Sequence, residues 1–351
     1  PSRHSLSCWY LLFEAEGEFD FEDAGGSENN SALEYASVNF FLNDNLSIGV
    51  GKYLSPVGQF IQNLHPSWIN KLPTAPLGFT GGHHGAGATP NNDFGIQARG
   101  GFETGDTSRI NYALMVSNGP ELIVEELEDG DLFIEGLELP AKLDDANSDK
   151  ALAGRIGFLP IPNLEIGVSF ETADAAFSTI KPADDHGDED DGHGDEIEDD
   201  HGDEAEDDHG DESGEDDHED SEEDDHSDLL IRDRSYNVFS FDFYFAPTDV
   251  KNLTFRGEYA TTKLGKGRED EYDHDKKRWE AWYAQASYYF PDQKIETVAR
   301  YSNFSPAGSE RSKRWSLGVN YVHKSNSIFK AAYEFNKSGG DRALFQYAYG
   351  F

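Results

Sequence analysis

A set of histidines among carboxylates offers the most explicit chemistry in this 351-residue sequence. His186, His193, His201, His209, His218 and His226 punctuate the tract 184–228, which carries 28 Asp and Glu and no Lys or Arg. Asp-Asp-His-Gly-Asp-Glu occurs at 184–189, 199–204 and 207–212, and Glu-Asp-Asp-His at 198–201, 206–209, 215–218 and 223–226. Imidazole beside carboxylate is a ligand set for Zn²⁺, Ni²⁺ or Cu²⁺. Repeats this uniform predict many weak, interchangeable sites for loosely bound divalent cations, zinc among them, and no required cofactor. The tract also reads as a plain anionic brush. Ile197 and Ala205 are its only apolar side chains besides glycine, so it buries too little to offset its ordering entropy and is expected to be disordered. On either reading it concentrates cations within a Debye length of about 8 Å at physiological salt. His83 and His84, in a Gly-rich stretch at 81–85, are a weaker candidate for the same chemistry.

No catalytic residues are expected. The sequence holds no Gly-x-Ser-x-Gly, no His-Glu-x-x-His and no phosphate-binding glycine loop. The lone Cys8 excludes an intrachain disulfide and is compatible with an oxidising envelope compartment. The sequence therefore reads as a non-enzyme. A formal net charge of −41, of which −13 remains outside the acidic tract, disfavours nucleic acid as a partner.

The elements that position these residues are strands. Hydrophobic residues make up 36% of the chain and mean hydropathy is −0.69. No run approaches the roughly 18 apolar residues of a membrane helix. Period-two alternation predicts fourteen strands, at about 12–21, 32–42, 45–53, 93–103, 107–117, 151–159, 163–172, 235–246, 253–263, 278–290, 294–304, 312–323, 326–336 and 342–351. In the seventh, Leu164, Ile166, Val168 and Phe170 oppose Glu165, Ser169 and Glu171. In the eighth, Phe239, Phe241, Phe243 and Phe245 oppose Ser240, Asp242 and Tyr244. The last strand presents Phe345, Tyr347, Tyr349 and Phe351 on one face. A soluble sheet with that face uncovered invites aggregation, whereas a membrane barrel needs it.

The connections alternate in length. Short ones (43–44, 104–107, 160–162, 247–252, 291–293, 324–325) separate long ones (22–31, 54–92, 118–150, 173–234, 264–277, 305–311, 337–341). Outer-membrane barrels have short periplasmic turns and longer extracellular loops. The expectation is an all-β, single-domain transmembrane antiparallel β-barrel of fourteen strands. It becomes sixteen if a hairpin precedes Pro1, since the start reads as incomplete. The last strand is then expected to close against the first.

A barrel of this size encloses a lumen, and charges on the predicted inward face fit water there. They are Glu14, Glu16, Glu18, Arg99, Arg109, Arg155, Glu165, Glu171, Arg256, Glu258, Glu296, Arg300, Lys330 and Glu334. The connection 54–92 mixes Phe60, Ile61, Leu64, Trp68, Ile69 and Leu72 with Pro and Gly. Apolar content in a loop means that it packs on something. It is expected to fold into the lumen and narrow it, with Phe60, His65, Trp68 and Lys71 as the constricting residues; packing across the mouth or on a neighbouring subunit is the alternative. Trp279, Trp282 and Trp315 are expected in interfacial aromatic girdles.

Gly51-Lys52-Tyr53-Leu54-Ser55-Pro56-Val57-Gly58, followed by His65-Pro66-Ser67-Trp68-Ile69-Asn70-Lys71-Leu72-Pro73, resembles a pattern of bacterial porin-like outer-membrane proteins similar to the phosphate-selective O/P porin superfamily. With the strand rhythm and Phe351, the resemblance spans nearly the whole chain. It implies a diffusion channel, often a homotrimer, in the outer membrane of a Gram-negative bacterium. Lipid and lipopolysaccharide would surround it, and small hydrophilic solutes or ions would pass. Phosphate selectivity in that superfamily relies on a dense lumenal array of basic residues. Here Arg99, Arg155, Arg256 and Arg300 are interleaved with carboxylates, which argues against it. The other class left open is a structural or adhesive surface barrel whose lumen is plugged by 54–92.

Overall fold

The computed structural model describes residues 12–22, 30–79, 87–126, 132–138, 149–181, 233–267, 275–324, 327–337 and 339–349. Among these residues sixteen strands form: β1 (Leu12–Glu22), β2 (Asn30–Asn43), β3 (Leu46–Leu54), β4 (Asn92–Glu103), β5 (Arg109–Ser117), β6 (Glu121–Glu126), β7 (Leu132–Glu138), β8 (Ala151–Ile161), β9 (Leu164–Lys181), β10 (Arg234–Phe245), β11 (Leu253–Leu264), β12 (Lys277–Phe290), β13 (Ile295–Ser305), β14 (Ser312–Lys324), β15 (Ser327–Asn336) and β16 (Arg342–Tyr349). Fourteen of them make one meander, each antiparallel to the next, from β1 through β5, then β8 to β16. These are the fourteen strands that the alternation predicts. Among the described residues β1 pairs only with β2 and β16 only with β15, so the expected ladder between the first and last strands is not formed.

The prediction needs one addition. Residues 118–150 are not merely a loop, because β6 and β7 form an antiparallel hairpin within them. β6 also runs parallel to the far end of β9, which continues well past the predicted boundary near 172. The two extra strands are thus a hairpin inside a long connection and not members of the meander.

Alternation places apolar side chains on the outer face and polar ones within. Along β10, Phe239 and Phe241 are exposed while Ser240 and Asp242 are buried. Along β9, Ile166, Val168 and Phe170 are exposed and Ser169 and Glu171 buried. Phe345, Tyr347 and Tyr349 of β16 are exposed, Phe345 by 83%. Cross-strand aromatic contacts run over the outside, with Trp282, Tyr301 and Trp315 from three successive strands in tilted contact at 5.2 and 4.9 Å between centroids. Such pairs contribute roughly 0.5–1.5 kcal/mol each.

The inner face departs from the expected all-polar lining. On the halves of β10–β12 nearest the long connections, Tyr236, Val238, Leu264, Trp279, Ala281 and Tyr283 are buried inside. They join Leu122, Val124 and Ile134 of the hairpin and Phe60, Ile61 and Phe79 of the 55–91 connection in one core. Trp279 therefore does not lie in an outer girdle with the exposed Trp282 and Trp315. Two inward-folded connections supply the apolar cover that makes an apolar inner wall stable.

Candidate functional site

The connection between β3 and β4 lies against the inner wall from β9 to β15. Ser55 N–H donates to Asn91 O at 2.8 Å and closes its base. The Gly51-to-Gly58 segment then meets the polar inward side chains. Ser55 Oγ donates to Glu171 Oε2 (3.3 Å) and the Gly58 N–H to Ser169 Oγ (2.8 Å). Glu258 Oε2 accepts the N–H groups of Gln59 (3.1 Å) and Phe60 (2.9 Å), and Ser240 Oγ donates to Oε1 (3.4 Å). A buried carboxylate would be costly alone; here it caps the free N–H groups at the start of the π-helical turn Phe60–Leu64.

Gly58 explains its place in the sequence pattern. Its φ is +75°, and a Cβ there would stand 1.7 Å from Glu258 Oε1. Conformation and close approach both require glycine. Beyond it Phe60, Phe79 and the wall residue Tyr283 form three edge-to-face contacts at 5.2–6.3 Å.

Residues 66–74 continue to the later strands. Pro66 O accepts the N–H groups of Ile69 and Asn70. Lys330 of β15 donates to Ser67 O, Asn70 O and Gln346 Oε1. Lys71 forms an ion pair with Glu296 of β13, and Asn320 of β14 donates to both Lys71 O and Glu296. Leu72 seats on Gly318, where a Cβ would lie 2.5 Å from Leu72 Cδ2. Thr74 Oγ1 donates to Glu334, and Thr74 O accepts from Arg300 Nη2 at 2.7 Å. Thr262 of β11 donates to Ala88 O at 3.0 Å. One connection touching the inner faces of β9, β11, β13, β14 and β15 requires the sheet to curl around it.

The expected inward charges fall into distinct groups. Glu171, Glu258, Glu296, Arg300, Lys330 and Glu334 hold the connection. Arg155 is buried and bridges Asp242 (2.6 Å) and Glu165 (2.9 Å) on the wall itself. Arg99 and Arg256 face a remaining cavity. Arg109 lies at an exposed rim, paired with Glu103 at 3.1 Å. β1 brings Glu14, Glu16 and Glu18 opposite Asn39, Ser37 and Tyr35 in register; their side chains lie outside the description. Of the four expected constricting residues, Phe60 is buried, Lys71 is paired, His65 Nδ1 meets Ile61 O, and Trp68 is exposed. Ser169, Ser240 and Asp242, which alternation places opposite the apolar faces, also contribute here, as do Asn320 and Tyr283, which the same strand parity puts on the inward face.

The cavity has a volume of about 540 Å³. It lies between the π-helical turn, which contributes Gln59, Gln62 and Asn63, and the short-turn halves of β3–β5 and β8–β11, which contribute Ser47, Arg99, Asn111, Arg155, Glu165, Tyr244 and Arg256. The acidic tract and His83 and His84 lie outside the described residues. Among the described residues no group of three His, Cys, Asp or Glu side chains is placed to hold a metal ion.

No family model matches the chain, and no curated protein matches it. Solved structures do. An anion-selective porin from Comamonas acidovorans aligns at a TM-score of 0.50 and 10% identity, over 93% of this chain and 75% of that one. The fold is that of an outer-membrane β-barrel. OmpT with loop L8 deleted, an outer membrane protein of Vibrio cholerae, aligns at 0.49 and 12% identity, over 96% and 83%. The outer membrane channel DcaP of Acinetobacter baumannii aligns at 0.47 and 9%, over 97% and 80%. On an outer-membrane β-barrel the exposed apolar band is the lipid face, and the wall beneath the 55–91 connection lines the lumen.

Proposed function

We propose that the chain is an outer-membrane channel for the diffusion of small hydrophilic solutes or ions, narrowed by the connection between β3 and β4. The observation that carries this reading is the polar cavity of about 540 Å³ left beside that connection, lined by amides, hydroxyls, arginines and the Glu165 carboxylate. A plugged structural barrel would have little use for uncommitted hydrogen-bonding groups facing an open space. The porin fold supports the location, with the short turns periplasmic and the long connections outside. The chemistry that the geometry supports is passage: solutes exchange part of their hydration for the lining groups and leave unchanged.

Reconstitution of the purified chain into planar bilayers tests this. Discrete conductance steps are expected, together with liposome swelling in small sugars that falls off as solute size rises. A chain that inserts and yet conducts no ions would favour the plugged barrel.

A further inference from the structure

We infer that Arg99 and Arg256 make the lumenal aperture prefer small anions, against the sign of the chain's overall charge; this rests on the channel reading above.

The formal charge of −41 suggests a cation path. The pairing of the inner wall points the other way. Among the described residues, each inward carboxylate near the aperture already has a partner. Glu165 and Asp242 both face Arg155. Glu258 accepts two backbone N–H groups and a serine hydroxyl. Glu171 accepts from Ser55, and farther round Glu296 is held by Lys71 and Asn320. Over the covered wall Lys330 donates to backbone carbonyls and Arg300 Nη2 to Thr74; Arg300 Nε and Nη1 are buried without partners, but Arg300 does not line the cavity.

At the cavity, among the described residues, two guanidinium groups remain without an ion-pair partner. Arg99 of β4 is exposed to the cavity, and among the described residues no side chain forms an ion pair or hydrogen bond with its guanidinium. Arg256 of β11 lies over the Tyr244 ring at 5.1 Å, and its buried Nε has no hydrogen-bond partner. A buried donor without an acceptor is costly, and a guanidinium presents its donors in a fork suited to carboxylate-like anions. Gln62 and Asn63 face the same space from the π-helical turn. A passing anion meets donors on both sides, whereas a cation meets the two positive charges of Arg99 and Arg256 against the single negative charge by which Glu165 and Asp242 exceed Arg155. The net charge misleads because 28 of the acidic residues lie in one tract, and among the described residues the acids near the aperture are hydrogen-bonded or ion-paired within the wall.

The test is the reversal potential of the full chain in planar bilayers under a tenfold KCl gradient, with chloride and potassium as the probes. Replacing both arginines, R99Q with R256Q, is expected to lower the chloride-to-potassium permeability ratio threefold or more. R99K with R256K, which keeps the charge, is expected to retain most of it, and K251Q, at an exposed short turn, to leave it unchanged. A ratio that does not fall in the glutamine pair, or that falls equally in the lysine pair, overturns the inference while the channel reading stands. A wild-type chain that inserts without conducting overturns both.

Discussion

The inner wall has two halves of similar sequence character and opposite use. Along β13 to β15 and at Glu258 of β11 its inward side chains are roofed by residues 55–79, and Glu258, Lys330, Glu296 and Arg300 each meet a backbone group or a counter-ion. From β3 to β5 and across β8 the wall is left open on a cavity, with Arg99 uncommitted. Alternation cannot distinguish the halves, since it reports only which face a residue takes. What separates them is the path of one connection, and that path is set by a few groups that only one half carries.

The largest effect should come from the hinge of that path. In Gly58→Ala the new methyl meets the Glu258 carboxylate, and the backbone is held at a φ of +75° that alanine resists. If Glu258 swings away, the Gln59 and Phe60 N–H groups lose their acceptor. Together these cost about 3 kcal/mol or more. A roughly hundredfold faster proteolytic cleavage within 55–79 of the reconstituted protein is expected, at that loss of local stability. An unchanged cleavage rate would mean that the roof does not depend on this anchor, and the contrast between the two halves would lose its cause.

The long-loop end shows how much was legible beforehand. The fourteen meander strands, their order and their outer faces follow from period two, because lipid and lumen impose opposite polarity on alternate residues. The hairpin β6–β7 was missed, yet Glu121-Leu-Ile-Val-Glu-Glu126 and Leu132-Phe-Ile-Glu-Gly-Leu-Glu138 flank an Asp129-Gly130 pair, a strong hairpin signal. Trp279 was misassigned for a simpler reason. It stands three residues from Trp282, and an odd separation in a strand puts the two on opposite faces. By contrast, no local rule shows that Glu258 would accept from Gln59 and Phe60, nearly 200 positions away in the chain. Such contacts depend on how the sheet curls, which one sequence does not state.

Parity supplies the second test. Trp279 is 3% exposed within the shared core, and Trp315 is 53% exposed on the outer face. Trp279→Ala is expected to cost about 3–5 kcal/mol through the cavity it leaves, read as a lower urea midpoint of the barrel in lipid vesicles. Trp315→Ala removes one side of a stack that lipid can replace, and about 1 kcal/mol is expected. Equal losses would mean that the inner apolar wall is not covered as described.

The smallest expected effect separates the halves most cleanly because the chemistry is held constant. Lys71–Glu296 and Arg109–Glu103 are both cation–carboxylate pairs. The first lies beneath the roof, with side chains 23% and 13% exposed and Asn320 bridging it; the second stands at the rim, 67% and 74% exposed. Water screens the rim pair, and holding two long side chains together offsets its attraction, so a double-mutant cycle of R109Q and E103Q should give a coupling of about 0.5 kcal/mol or less. The same cycle with K71Q and E296Q removes a pair that water reaches poorly, and about 1–2 kcal/mol is expected. Because both cycles use the same readout in the same barrel, differences in lipid or detergent cancel. Equal couplings would place Glu296 and Lys71 in water as open as the rim, and the roofed half of the wall would then be no different from the open one.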